Sequence, residues 1–344
     1  MAPGFPPGST VDFGARAFTD KATELSNGDL IFEIYSVSVL NVPQMLNGVR
    51  DGVADAGVVL PPVFAAQFKE TNLIGDLAML GEWAPAMAGA VTEYIMTCEV
   101  CLQEYADNNL VYLGSGSTPD YGILSTKEFT TPDHVNGAKL RSPNAAFNRW
   151  IESLGGVALT LPGNEIFEAV KQGVVDGALL SNSELRNIRM IDVVTHITVG
   201  APQGTYHLIN IANVNKDVWK DLTTEQRDVL IDAGAYATAA VTAKYVTEAQ
   251  DALDEAKEKG IEVHEASAEL KQATADFIKA DMANIDSSAA ERGVTDAQEK
   301  IARFQGLIDK WAKLTDGLGT DVDSLAALYR TEIYDKLDPQ SYGM

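Results

Sequence analysis

The sequence predicts an α/β protein of two lobes, joined by a long interdomain helix and closed by C-terminal helices. Three observations predict it. Between Gly137 and Gly177 the pattern alternates strand, helix, strand, helix, strand, which implies parallel strands with helices covering the sheet faces. The stretch Val49-Arg50-Asp51-Gly52-Val53-Ala54-Asp55 parallels Val170-Lys171-Gln172-Gly173-Val174-Val175-Asp176, with a glycine capping a helix just ahead of a strand in both. Thr223-x-x-Gln226 reads as a capping box for a helix running to about Lys259; roughly 36 residues at 1.5 Å each span about 54 Å, longer than one small lobe.

Taken in order, Val11, Ala15, Phe18, Ala22 and Leu25 recur at helical spacing, and Asn27-Gly28 supplies a left-handed stop. Leu30 to Tyr35 reads as a strand. A helix after Pro43 runs to Asp51, and Gly52 leads into the next strand. Met87 to Tyr105 reads as one helix. Leu110 to Gly114 is a strand entering Ser115-Gly116-Ser117-Thr118-Pro119, a flexible connection of the kind that carries a chain between domains. Gly114-x-Gly116 is not a dinucleotide loop, because Pro119 stands where the third glycine would be and no helix opens there.

Ala138 to Arg141 is a short strand stopped at Ser142-Pro143, since proline cannot continue a ladder. Asn144 to Leu154 fits a helix with Phe147, Trp150, Ile151 and Leu154 on one face, so Trp150 is read as core. Val157 to Leu161 returns as a strand, Glu165 to Gln172 as a helix, and a third strand begins at Val174-Val175. From Tyr206 the chain returns towards the first lobe. Near the C-terminus Ile301, Phe304, Ile308 and Trp311 share a helical face. Asp321 to Asp335 carries a second stripe of Leu325, Leu328, Tyr329 and Ile333, suited to packing on its own chain or to a homodimer. The expected lobes are 1–118 with 208–245 and 119–207 with 246–318, followed by a tail at 319–344.

Composition narrows the function. With 46% hydrophobic and 22% charged residues in 344, the chain has ample core for two domains and is not a disordered protein. The net charge of −23 repels nucleic acid and anionic lipid surfaces. No apolar run approaches the roughly 18 residues that span a bilayer. Met1-Ala2-Pro3-Gly4 shows no charged segment followed by an apolar one, so an exported form is expected to have lost its leader.

Catalytic motifs are absent from the sequence. His134, His196, His207 and His264 are scattered, with no H-E-x-x-H spacing, and neither a metal nor a cofactor is expected. No G-x-S-x-G elbow or phosphate-cradling loop occurs. Cys98-x-x-Cys101 lacks the strand-then-helix setting of a thioredoxin-like site and the second ligand pair of a zinc site. A disulfide, inert thiols and a redox pair remain open for it.

Arg141 stands at a strand's carboxyl end, where open α/β sheets bind ligands, and its planar fork of donors suits a carboxylate. An exposed surface arginine is the competing reading. The run Lys139-Leu140-Arg141-Ser142-Pro143, followed by Glu168-Ala169-Val170-Lys171-Gln172-Gly173-Val174-Val175-Asp176-Gly177, resembles the signature of the periplasmic substrate-binding proteins of TRAP (tripartite ATP-independent periplasmic) transporters, the DctP-like family. The resemblance covers roughly Pro3 to Leu314.

It implies a two-lobed periplasmic-binding-protein-like fold that closes on a small organic acid and delivers it to TRAP membrane permease subunits from the periplasm, without ATP hydrolysis. It also implies a strand ahead of Pro3. Arg141 matches the arginine that pairs with the substrate carboxylate. The family's second arginine falls near Tyr121, which argues against a dicarboxylate and towards a monocarboxylate or zwitterion resting on Tyr121 or Trp83. Gly163-Asn164 stands where the family often has phenylalanine, which implies a roomier pocket. After the Val-Asp-Gly motif this chain has Leu180, Ser181 and Asn182, and Ser181 is expected to take the polar role of the family's asparagine. Tyr206, near the hinge, and Asn144, opening the helix after Arg141, complete the candidate ligand set. The alternative is an enzyme acting on a small organic acid in the same cleft, with Asp55 and Asp176 the first carboxylates to examine. A sensory or purely structural role draws its only support from the C-terminal stripe.

Overall fold

The computed structural model describes residues 1–344 apart from the side chain of Asn164. Its strands in chain order are β1 (Ala56–Val59), β2 (Leu110–Tyr112), β3 (Ser115–Gly116), β4 (Tyr121–Ser125), β5 (Lys139–Ser142), β6 (Val157–Thr160), β7 (Gly177–Ser181), β8 (His196–Val199), β9 (Ile209–Asn215) and β10 (Glu262–Glu265). They form two sheets, one in each lobe. In the first, β9 pairs antiparallel with β1, β2 and β3; in the second the order is β10-β8-β4-β7-β5-β6.

The expected parallel unit is present, since β5 pairs parallel with both β6 and β7. The sheets are nonetheless mixed. β4 runs against β7 and β8, with Tyr121 opposite Ser181. The reason lies in the crossings. A strand arriving from the other lobe enters at the cleft edge, where the parallel strands end, and so must run against them. β9 returns to the first sheet in the same way, Ile209 first. The two crossing segments hold each other: Thr118 N–H donates to the Tyr206 carbonyl at 3.0 Å, and Tyr206 N–H to Thr118 Oγ1 at 2.9 Å.

The helix Thr10–Leu25 is capped by Ser9 and ends at Asn27 and Gly28 with φ of 52° and 85°. Its buried stripe is Val11, Ala15, Phe18 and Ala22; Leu25 lies outside it, at 38% exposed. Leu30 to Tyr35 is extended but joins no sheet. Tyr35 N–H donates to the Met1 carbonyl and the Met1 amine to the Glu33 carbonyl, both at 2.9 Å, the Leu30 carbonyl accepts from Thr23 Oγ1 at 2.9 Å and Leu30 N–H donates to Ser26 Oγ at 3.0 Å, while Ala2 bridges Gly57 in parallel. The expected helix over Met87–Tyr105 is two, Ala84–Met96 and Glu99–Asp107. Cys98 sits extended between them as a cap and is disulfide-bonded to Cys101.

The long helix is Thr224–Glu258, and Thr223 and Gln226 exchange side-chain and backbone hydrogen bonds at 3.2 and 3.0 Å. Leu230, Ala233, Ala237 and Val241 bury into the first lobe's core, Ala252 and Ala256 into the second's. The helix therefore bridges both. Thr223→Ala removes one orphan-donor partner at its start and is expected to lower the unfolding free energy by about 1 kcal/mol in urea titrations.

The last two helices both pack on the first lobe. Helix Ala297–Leu314, which the expected division gives to the second lobe, packs on Ala84–Met96 of the first: Phe304 meets Tyr94 edge-on at 5.5 Å, and Trp311 Nε1 donates to Glu93 at 2.7 Å. Its apolar face needed a buried partner, and the preceding helix Ala268–Glu291 is long enough to carry it back. The tail helix Val322–Glu332 lies on the long helix with Leu325 and Tyr329 fully buried. Tyr334 Oη donates to the Leu113 carbonyl at 3.0 Å and Tyr342 Oη to the Tyr112 carbonyl at 2.6 Å. The stripe that suggested a homodimer is covered by the chain itself.

Candidate functional site

A cleft of about 400 Å³ opens between the lobes, at the edge where β5 and β7 end and β4 and β9 begin. Arg141 projects into it from β5 and is 8% exposed. The Leu161 carbonyl accepts from its Nε and Nη2, each at 3.1 Å, and the Leu179 carbonyl accepts from Nη1 at 3.4 Å. Three of five guanidinium N–H groups are thereby fixed by backbone. Two N–H groups are left over, one on each terminal nitrogen, as donors for a ligand carboxylate. Burial depresses the affinity of this guanidinium for its proton, with Tyr121, Tyr206 and Glu184 opposing that effect. Among the described residues no carboxylate forms an ion pair with it.

Tyr121, the first residue of β4, lines the cleft and stacks on Phe147 with ring centroids 5.2 Å apart. Tyr206 lines it from the returning crossing, and burial raises both phenol pKa values. The first lobe contributes Phe5, Val11 and Leu60. The walls are thus largely apolar, with a single guanidinium let into them.

Other candidates are not brought together. Trp83 is 38% exposed at the start of helix Ala84–Met96 and does not line the cleft. Ser181 is fully buried, paired with Ser183 Oγ at 2.9 Å. Asn144 is a helix cap: its Oδ1 accepts from Phe147 N–H at 3.3 Å, which uses the side chain locally. Gly163 lines the cleft, whereas the Asn164 side chain lies outside the described residues. Of the carboxylates weighed for chemistry, Asp176 pairs with Lys127 at 2.5 Å and accepts from Lys139 N–H at 2.9 Å; neither it nor Asp55 lines the cleft.

Tyr245 and Glu184 are polar lining side chains that escaped the sequence reading. Tyr245 comes from the middle of the long helix, where that helix passes from one lobe to the other. Glu184 follows β7 by three residues, and the rule that drew attention to Arg141 at the end of β5 applies equally to the end of its parallel neighbour. Burial pushes the Glu184 carboxyl up to about 7, against hydrogen bonding from Asn187 and the charge of Arg141. Asn187 also links the lobes. Its Nδ2 donates to Glu184 at 3.2 Å, while its Oδ1 accepts from Thr10 N–H and Oγ1 of the first lobe at 3.1 and 3.2 Å.

Comparison with known proteins gives the cleft its context. Residues 1–288 match the DctP family, the bacterial extracellular solute-binding proteins of family 7. A solute-binding protein of Albidiferax ferrireducens is 23% identical over 237 residues, covering 67% of this chain and 69% of its own. A TRAP solute-binding protein from Rhodoferax ferrireducens, solved with copurified benzoate, superposes with a TM-score of 0.79 at 20% identity, over 91% of this chain and 98% of that one. A marine metagenome TRAP solute-binding protein specific for aromatic acids, solved with 3-hydroxybenzoate, also reaches 0.79, at 22% identity over 89% and 96%.

Proposed function

This chain belongs to the bacterial extracellular solute-binding proteins of family 7, and we propose that it binds a small monocarboxylate with an apolar, aromatic body and presents it to a TRAP membrane permease. The observation that carries this reading is the Arg141 guanidinium, which keeps a free donor on each terminal nitrogen in a cleft whose walls are mostly apolar and aromatic. Arginine is the one cation lining the cleft among the described residues, so a second ligand carboxylate would lie unpaired beside Glu184. A ring resting between Tyr121, Tyr206 and Tyr245 contributes about 2–3 kcal/mol through burial of its surface. The benzoate and hydroxybenzoate seen in structures of the same fold support this choice of ligand class. Walls from both lobes make binding energy available only when the lobes are together, which favours the closed state on loading. No helix among the described residues is long and apolar enough to cross a membrane.

A thermal-shift screen against aromatic monocarboxylates, aliphatic monocarboxylates, dicarboxylates and betaines tests the reading. A ligand at 100 times its Kd stabilises the fold by about 2.7 kcal/mol. Aromatic monocarboxylates are expected to give the largest shifts; a preference for dicarboxylates, or silence across the panel, would refute the ligand class.

Glu184 makes binding pH-dependent. Its folded pKa is raised above the ordinary carboxyl value to about 7, so it is neutral at pH 6 and charged at pH 8. Its contribution to stability is complete below the ordinary carboxyl pKa and is lost as pH rises through about 7. An anionic ligand meets a like charge only on the alkaline side. Affinity is therefore expected to rise about tenfold from pH 8 to pH 6. Glu184→Gln should flatten that profile in calorimetric titrations.

A further inference from the structure

At the end of the second sheet opposite the cleft, three side chains scattered in the sequence meet. β10 and β8 pair in parallel, with Glu262 directly across from His196. His264 follows Glu262 by two residues and so projects from the same face. Glu262 lies 3.9 Å from His196 Nε2 and 3.5 Å from His264 Nε2, and the two imidazoles stack with centroids 5.5 Å apart. One ligand atom from each of the three lies within 4.8 Å of the others.

Hydrogen bonding leaves both Nε2 atoms available. His196 Nδ1 is 2.8 Å from Thr195 Oγ1, and the tautomer that donates its Nδ1 proton to that hydroxyl leaves the Nε2 lone pair free, the usual outer support of a ligating histidine. His264 Nε2 is buried and has no hydrogen-bond partner among the described residues. A buried ring nitrogen in that position calls for an acceptor, a donor or an electrophile.

The geometry points to a divalent transition-metal site formed by His196, Glu262 and His264, of the borderline class to which zinc and nickel belong. Glu262 and His264 of the edge strand β10 and His196 of its neighbour β8, with Glu262 exposed, make three protein ligands and leave a fourth position to water. At metal–ligand bonds of about 2.1 Å, tetrahedral ligand atoms are about 3.4 Å apart. The present separations from Glu262, 3.5 and 3.9 Å, are close to that spacing. The ion would clip β10, the outermost strand and the segment that follows the long helix, to β8. The cluster is separate from the ligand cleft, so organic-acid binding and metal binding can succeed or fail independently.

The test is zinc titration of tag-free full-length protein at pH 7.5, after dialysis against a chelator, by calorimetry. One equivalent is expected to bind, and His196→Ala and His264→Ala are each expected to weaken binding at least about tenfold. Imidazole proton resonances of the unaltered protein provide a readout that needs no variant: those of His196 and His264 should shift on addition of zinc. Absence of one-equivalent binding overturns the proposal. So does binding that is unchanged in the His196→Ala/His264→Ala double variant, or a zinc response confined to His134 and His207.

Discussion

Arg141→Ala is expected to weaken binding of an aromatic monocarboxylate by at least about 100-fold, because truncating one partner of a buried hydrogen-bonded charge pair costs about 2–5 kcal/mol. The ligand carboxylate would be left in an apolar cleft with Glu184 as its nearest charged neighbour. Arg141→Lys should recover little. A lysine keeps the charge but lacks the planar fork, and it cannot hold the Leu161 and Leu179 carbonyls while also presenting two donors to a ligand. Those carbonyls also lose their partner in Arg141→Ala, so circular dichroism must show a native fold before affinity is compared. Calorimetric titration of the three proteins checks the expectation. Equal affinity in the alanine variant would remove Arg141 from the site.

Trp150→Ala should produce the largest loss of stability. The indole is fully buried in the second lobe's core, beside Phe147 and Ile151, and its Nε1 donates to Thr274 Oγ1 at 3.0 Å. Removing it costs about 3–5 kcal/mol through lost burial and the cavity left behind. A lowering of Tm by about 4–7 °C follows for a chain of 344 residues. The hydrogen bond ties helix Ala145–Ser153 to helix Ala268–Glu291, so the variant also frees the element that carries the chain back to the first lobe. Trp150→Phe keeps much of the packing and loses only the donor, at about 1 kcal/mol. Urea unfolding of both variants measures the difference; a loss below 1 kcal/mol for the alanine would contradict a packed core at this position.

Local patterns made much of this architecture legible. Glycine at 52 and at 173, with φ of 76° and 70°, closes a helix ahead of a strand in each lobe. The capping box at Thr223 marks the start of the bridging helix. Arg141 was visible because strand ends are positions of known consequence, and Trp150 because its neighbours share a helical face.

What escaped depended on long-range placement. Leu30–Tyr35 has the composition of a strand, yet its backbone bonds to Met1 and to side chains at the end of the preceding helix and joins no sheet. The break at Cys98 turns on one extended residue inside an apolar, helix-compatible run. Trp83 looked like a pocket aromatic because loop aromatics near a hinge are candidates, but the cleft forms elsewhere. Tyr245 and Glu184 enter only once the crossings fix which strand ends and which turn of the long helix share an edge. The meeting of His196 with His264 likewise requires the parallel pairing of β8 with β10 across the whole length of the bridging helix.

The most direct measurement compares, by calorimetry on the unaltered protein, the tightest-binding acid of the panel with its own primary carboxamide. The two share shape and apolar surface and differ in charge at the group assigned to Arg141. Binding of the acid at least about 100-fold tighter than the amide is expected, since only the carboxylate completes the charge-assisted pair of hydrogen bonds. Equal affinities would mean that the cleft recognises the body of the ligand alone, and that Arg141 is a structural residue holding Leu161 and Leu179.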